Sequence, residues 1–205
     1  CEEGICMVGT AFTDEVRSEL PFALTRTQES ALEEILSDMA GQAPILRLLQ
    51  GDVGCGKTVV AAMAHLAACG ASSQGAFMAT TEVLATHHHR VLTELLSAMR
   101  NPPKVALLTG STKAAERAQI LEELKHGKIG MLVGTQTLIQ DKVVFHSLGI
   151  AVVDEQHRFG VEQRAALLAK GRLPPHMLTM SATPIPRTLA MTKFGEMALS
   201  VIDEK

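Results

Sequence analysis

The sequence predicts an α/β fold, a mostly parallel sheet flanked by helices on both faces. Apolar runs of strand length alternate along the chain with amphipathic stretches of helix length, the order that βαβ units impose. A glycine-rich run, "GDVGCGKT" at Gly51 to Thr58, also sits directly between one such strand and one such helix. The chain has no repeats, no low-complexity tract and no internal linker, so a single layered unit accounts for it.

Strands are expected over 45–50, 76–80, 104–108, 129–133, 149–153 and 177–181. The clearest helix carries Leu32, Ile35, Leu36 and Met39 at i, i+3, i+4 and i+7, with Gly41 as its stop. A second, over 81–99, repeats the pattern with Leu84, Val91, Leu92, Leu95 and Met99, and "KAAERAQILEELKHG" at 113–127 is a third. The proline pairs in "NPPK" (101–104) and "LPPH" (173–176) mark loops between elements.

Composition narrows the function classes. The 205 residues are 46% hydrophobic and 20% charged, as in one ordinary globular domain. A formal net charge of −3 argues against a generally basic surface, so nucleic acid would be held by local Lys and Arg and by backbone amides. With no Trp, no Tyr and 3% aromatic residues, base-stacking platforms are not expected. Cys1, Cys6, Cys55 and Cys69 form neither a CxxC pair nor a finger spacing, which suits a reducing cytosol and implies no zinc site. No segment approaches the roughly 18 apolar residues of a membrane span, and the acidic start is unlike a signal peptide. Lacking an initiator Met, the chain reads as an excised piece.

The run Gly51-Asp52-Val53-Gly54-Cys55-Gly56-Lys57-Thr58 fits the phosphate-binding pattern G-x-x-x-x-G-K-[ST]. Its glycines let successive N–H groups turn inward on a phosphate, and the following helix adds the positive end of its dipole. Lys57 would reach the β- and γ-phosphates of ATP while the Thr58 hydroxyl ligates Mg²⁺. The bland alternative is a glycine-rich turn with no ligand. Cys55 faces the helix dipole and Lys57, so its thiol is reactive if exposed and inert if buried.

At 154–155 a neighbouring strand is expected to end in two acids. Asp154 would hold Mg²⁺ at the mouth of the site, and Glu155 would orient the attacking water and take its proton. Solvated loop charges are the alternative. Among the consecutive histidines His87, His88 and His89, side chains point about 100° apart and cannot converge on one metal, so a solvated helix face is expected.

"DEQH" at 154–157 resembles the DExH form of helicase motif II in superfamily 2, and "MSATPIPRTLA" at 180–190 resembles motif III with an extension. With "LPFALTRTQ" at 20–28, these residues resemble the bacterial RecG family, translocases that remodel stalled forks and Holliday junctions. The motor of the transcription-repair coupling factor is similar but usually has Glu where this chain has Gln156. The resemblance implies a RecA-like P-loop NTPase lobe over 20–205, with 1–19 as a lead-in. It implies that Phe22 packs on adenine and Gln28 bonds the base edge, though Thr25 and Gln28 also form the S/T-x-x-E/Q capping box of the next helix. Gln156, His157, Ser181, Ala182 and Thr183 would link the γ-phosphate to DNA-facing loops, and Thr81, Gly110 and Thr135 would contact a DNA backbone. Ser111 and Lys113 are candidates for the same groove, Ser111 equally for a helix cap. Thr80 stands where the family usually has proline. Arg187 has no derivable role. A cytoplasmic helicase is implied, using ATP and Mg²⁺ on branched DNA, together with a second lobe bearing arginine fingers and a wedge domain, neither contained in these residues. A nucleotide-binding module that moves nothing is the alternative from another class.

Overall fold

The computed structural model describes residues 13–14, 17–18, 22–41, 43–70, 72–154, 160–183 and 197–204. In chain order the elements are α1 (Arg26–Met39), β1 (Leu46–Gly51), α2 (Lys57–Gly70), β2 (Gln74–Met78), α3 (Glu82–Leu96), β3 (Val105–Leu108), α4 (Ala114–Lys125), β4 (Met131–Gly134), a 3-10 turn (Gln136–Ile139), β5 (Leu148–Asp154), α5 (Val161–Leu168), β6 (His176–Ser181) and β7 (Ala198–Ile202). The strands form one sheet in the order β3-β4-β2-β5-β6-β1-β7, every pairing parallel.

Successive residues of the inner strands serve opposite layers, as the pleat requires. Phe77, Val152 and Leu178 face α1, α2 and α3, packing with Leu32, Ile35, Met39, Ala85 and Leu92. Ala76, Met78, Ala151 and Val153 face the other way, against Ile120 and Leu124 of α4, Leu138, and Leu167 of α5. Each large apolar side chain so enclosed contributes about 1.5–3 kcal/mol. Helix α2 is buried at every residue from Val60 to Ala68, a stretch that is apolar apart from His65 and rich in alanine, the composition of a helix enclosed on all sides.

Two differences from the sequence reading have physical causes. Strand β7 was not expected. Among the described residues it is an edge strand paired to β1 alone, its residues are unevenly buried, and "ALSVI" lacks the continuous apolar run of the inner strands. Strand β2 begins at Gln74, two residues before the expected start, because the polar Gln74 side chain is fully satisfied inside. Its amide donates to the Leu124 and Ile129 carbonyls at 3.0 and 2.7 Å and accepts from the His146 and Ser147 amides at 2.7 and 3.1 Å. The new edge strand is held by Arg47, whose buried guanidinium bonds Glu34 at 2.7 Å and Asp38 at 3.0 Å, while Ser200 of β7 accepts from Arg47 and donates to Glu34. A buried charge is tolerable when paired this fully.

His65 lies inside α2, its ring nitrogens 3.0 Å from the Ala61 carbonyl and 3.2 Å from that of Ala76. A Cβ at Gly75 would stand 1.9 Å from the His65 ring, so only glycine lets α2 approach β2 here. Burial holds the pKa of His65 below the usual histidine value of 6.5, the two carbonyl contacts opposing; burial does the same for His176, with Asp38 opposing. The unfolded chain therefore takes up protons that the folded chain refuses. The stabilisation is present above pH 6.5 and is lost as pH falls below it. Thermal melts should show the midpoint falling between about pH 7.5 and about pH 5.5, with a shallower fall in His65→Gln. Identical slopes in the two proteins would remove His65 from that account.

Candidate functional site

Parallel strands send every strand-to-helix loop to one edge of the sheet, and the candidate residues gather there. Gly51 to Thr58 joins β1 to α2. Gly54 and Gly56 both take φ of +85°, the left-handed region that side chains resist. Lys57 lies along the loop and donates to the carbonyls of Gly51 at 2.6 Å and Asp52 at 2.8 Å. Asp52 and Val53 form an exposed crest. The Cys55 thiol is turned under the loop, 1% exposed and 3.8 Å from the Lys57 ammonium, so the exposed reactive thiol that the sequence allowed is not found. With Thr58 in the first turn of α2, the loop amides and the helix dipole can cradle a phosphate.

Gln28 braces this loop from α1. The Thr25 capping box forms on both sides, with the Thr25 amide donating to the Gln28 side-chain oxygen at 2.9 Å. The Gln28 Nε2 donates to the Cys55 carbonyl at 2.8 Å. A Cβ on Gly56 would stand 2.3 Å from that nitrogen, which gives this glycine a steric reason beyond its dihedral. One side chain thus both starts α1 and holds the loop. Phe22, in the segment before α1, is 48% exposed. Past β7, Glu204 accepts from the Thr27 amide at 3.1 Å and binds the first turn of α1, so the same helix start is fixed from a second direction.

Asp154 ends β5, but β5 is not the neighbour of β1 that the sequence reading supposed. Strand β6 lies between them, with Met180 in register with both Leu49 and Asp154. At about 4.8 Å per strand spacing, the two flanking backbones are roughly 10 Å apart. Side chains from both can converge above the end of β6. There Ser181, 1% exposed, sits in a tight turn with Thr183, its Oγ 3.2 Å from the Thr183 amide and 3.1 Å from its hydroxyl. Ala182 lies within that turn. The donors on offer, a carboxylate at Asp154 and a hydroxyl at Thr58, are hard oxygens of the kind Mg²⁺ takes alongside phosphates, so these residues fit that ion.

One functional candidate was missed. His88, expected on a solvated face, is 5% exposed, and its Nε2 lies 2.7 Å from Asp154 Oδ2. Its ring packs on Phe77 at 4.5 Å between centroids. The signal was present in the helical period. Leu84, His88 and Leu92 fall four apart, on the apolar stripe rather than the polar face. His87, one residue earlier, is exposed.

On the other half of the edge, Thr81 follows β2, Gly110 follows β3 and Thr135 follows β4, three adjacent strands. Thr81 is the N-cap of α3, its hydroxyl accepting from the Leu84 amide at 3.2 Å. Glu82 accepts from the Ser111 amide at 3.2 Å and from its hydroxyl at 2.7 Å. Ser111 hydrogen bonding holds the Glu82 carboxyl below the usual range. Ser111 is therefore not the helix cap; Lys113 takes the N-cap position of α4. Thr135 precedes the 3-10 turn, with Thr137 donating to the Leu108 carbonyl at 2.7 Å. Glu155, Gln156, His157 and Arg187 lie outside the described residues.

A phosphate-cradling loop and an acid-ended strand on one edge of a parallel sheet define a P-loop nucleotide-binding lobe of the RecA-like class. Residues 25–192 match the DEAD/DEAH box helicase family, and the chain belongs to that family. It is 50% identical over 198 residues to the ATP-dependent DNA helicase RecG of Aquifex aeolicus, covering 96% of this chain and 25% of that protein. To RecG of Bacillus subtilis it is 54% identical over 185 residues, 90% of this chain and 27% of that one. Among solved structures, that of RecG bound to a three-way DNA junction is similar at a TM-score of 0.84 and 41% identity, over 98% of this chain and 27% of that chain. The DUF1998 helicase MrfA bound to DNA, at a TM-score of 0.70 and 17% identity over 95% of this chain and 29% of its own, shares the fold. The chain spans about a quarter of the length of the curated RecG relatives it matches.

Thr80, where the RecG pattern usually has proline, buries a hydroxyl that finds no hydrogen-bond partner among the described residues. An unpaired buried hydroxyl costs roughly 1–3 kcal/mol, and valine keeps the shape without the polar atom. Thr80→Val should raise stability to urea by about 1 kcal/mol. A loss of stability would mean that the hydroxyl is bonded.

Proposed function

We propose that the chain is the ATP-binding motor lobe of a RecG-type DNA helicase, coupling ATP hydrolysis to branch migration and to remodelling of forks and Holliday junctions in repair and recombination. The supporting observation is the division of one sheet edge. The β1, β6 and β5 loops carry the phosphate cradle and Asp154, and the β2, β4 and β3 loops carry Thr81, Thr135 and Gly110, in a chain about half identical to RecG. The lobe spans 20–205 with 1–19 leading into it, and the motor acts in the bacterial cytoplasm.

In this reading Lys57 leaves the Gly51 and Asp52 carbonyls for the β- and γ-phosphates of ATP, whose oxygens offer it full negative charge. Phe22 packs on the adenine, and Gln28, while bracing the loop through the Cys55 carbonyl, offers its second amide hydrogen to the base edge. Thr58 and Asp154 hold Mg²⁺, which neutralises charge on the phosphates. Glu155 orients a water in line with the γ-phosphate and accepts its proton. Gln156, His157, Ser181, Ala182 and Thr183 report the state of that phosphate to the strand-facing loops. Thr81, Gly110 and Thr135 follow the DNA backbone, tracking it without reading sequence. The opposite lobe supplies the arginine finger, and a wedge domain engages the branch point.

Comparing ATP turnover on forked and linear DNA for the full-length protein tests this reading. Glu155→Gln should bind nucleotide as the wild type does but turn over roughly 10²-fold more slowly, because positioning persists and proton acceptance is lost. Lys57→Ala should weaken binding and turnover together. Near-normal hydrolysis by Glu155→Gln would remove Glu155 as the base, and equal activity on forked and linear DNA would remove the branched substrate.

A further inference from the structure

We propose that His88 is a positioning residue for the metal carboxylate: it fixes the rotation of Asp154 from helix α3, an inference that rests on the Mg²⁺-nucleotide reading above. An ionised carboxylate only accepts hydrogen bonds, so the 2.7 Å contact has the His88 Nε2–H donating to Asp154 Oδ2. With one oxygen so engaged, the carboxylate has a defined orientation and its second oxygen is the one left for a ligand. Outer partners of this kind orient metal-binding groups and raise their affinity.

Simple packing does not account for a histidine at this position. It occupies the apolar stripe of α3 between Ala85 and Leu92, where leucine would bury more apolar surface at no polar cost. Instead the ring encloses an Nδ1 with no partner among the described residues, an arrangement that is paid for in desolvation. The side chains of His88 and Asp154 are 7% and 15% exposed, so their hydrogen bond is largely shielded from water. The ring is held against Phe77 at 4.5 Å, which stops the donor from swinging away. Helix α3 begins at the Thr81 and Glu82 turn, roughly 10 Å and two turns before His88, so one rigid element joins the strand-facing edge to the carboxylate.

The test is binding of a fluorescent methylanthraniloyl-ADP to this chain in Mg²⁺ and in EDTA. His88→Leu should lose about tenfold in affinity in Mg²⁺ and nothing in EDTA. His88→Gln, whose amide nitrogen can stand near the position of Nε2, should keep most of the Mg²⁺ effect. Equal Mg²⁺ responses in wild type and His88→Leu would overturn the proposal, as would equal losses in Mg²⁺ and EDTA. If circular dichroism shows that His88→Leu does not fold, His88→Asn replaces it, its amide being too short to reach Asp154. Retention by Gln with loss by Asn supports the positioning role; equal behaviour of the two contradicts it. A wild-type chain that binds the nucleotide identically with and without Mg²⁺ would instead remove the metal role of Asp154, and the proposal with it.

Discussion

Because all seven strands run the same way, each return to the sheet needs a crossover, and the strand ends that face solvent with their C-termini form a single edge. Everything chemical about this chain depends on that constraint. Residues as far apart in sequence as Gly51 and Ser181 are delivered side by side because parallel pairing leaves them nowhere else to emerge. The order of the strands then decides which chemistry meets which. Strands β1 and β5 flank β6, so the phosphate cradle and Asp154 face each other across the Ser181 turn, while β2, next to β5, begins the strand-facing half.

Polar side chains tie the elements of this edge together. Gln28 ties the start of α1 to the Cys55 carbonyl, and Glu204 beyond β7 ties the chain's last strand to the same helix start. His88 ties α3 to Asp154, and Glu82 at the beginning of α3 ties it to Ser111. The His88 and Glu82 contacts place α3 across both halves, while the Gln28 and Glu204 contacts fix α1 within the nucleotide half. In the proposed motor such a link matters, because a change at a phosphate does work only if it is transmitted to the groups that hold the track.

Local chemistry was legible in the sequence and long-range order was not. The phosphate loop could be read from spacing alone because glycine dihedrals and a helix start are properties of eight consecutive residues. The Thr25 and Gln28 capping box was readable for the same reason. The position of β6 between β1 and β5 was not, since strand order is set by which crossovers pack best and no short stretch encodes it. Strand β7 escaped because an edge strand, covered on fewer sides, does not need a continuous apolar run. His88 escaped because three adjacent histidines look like a polar run, although the four-residue spacing of Leu84, His88 and Leu92 placed it inward. Ser111 was resolved by a contact made outside its own segment, with Glu82, and Cys55 by its burial under the loop.

The central claim is a division of labour: this lobe holds the nucleotide, and the charge that develops during phosphoryl transfer is stabilised by an arginine from an opposite lobe, a contribution worth about 10³ to 10⁵ in rate. The most direct measurement is phosphate release by the 205-residue chain with and without forked DNA, alongside titration with a fluorescent ATP analogue. The account predicts weak Mg²⁺-dependent nucleotide binding with phosphate release close to background and indifferent to DNA. Robust DNA-dependent release by this chain alone would contradict it.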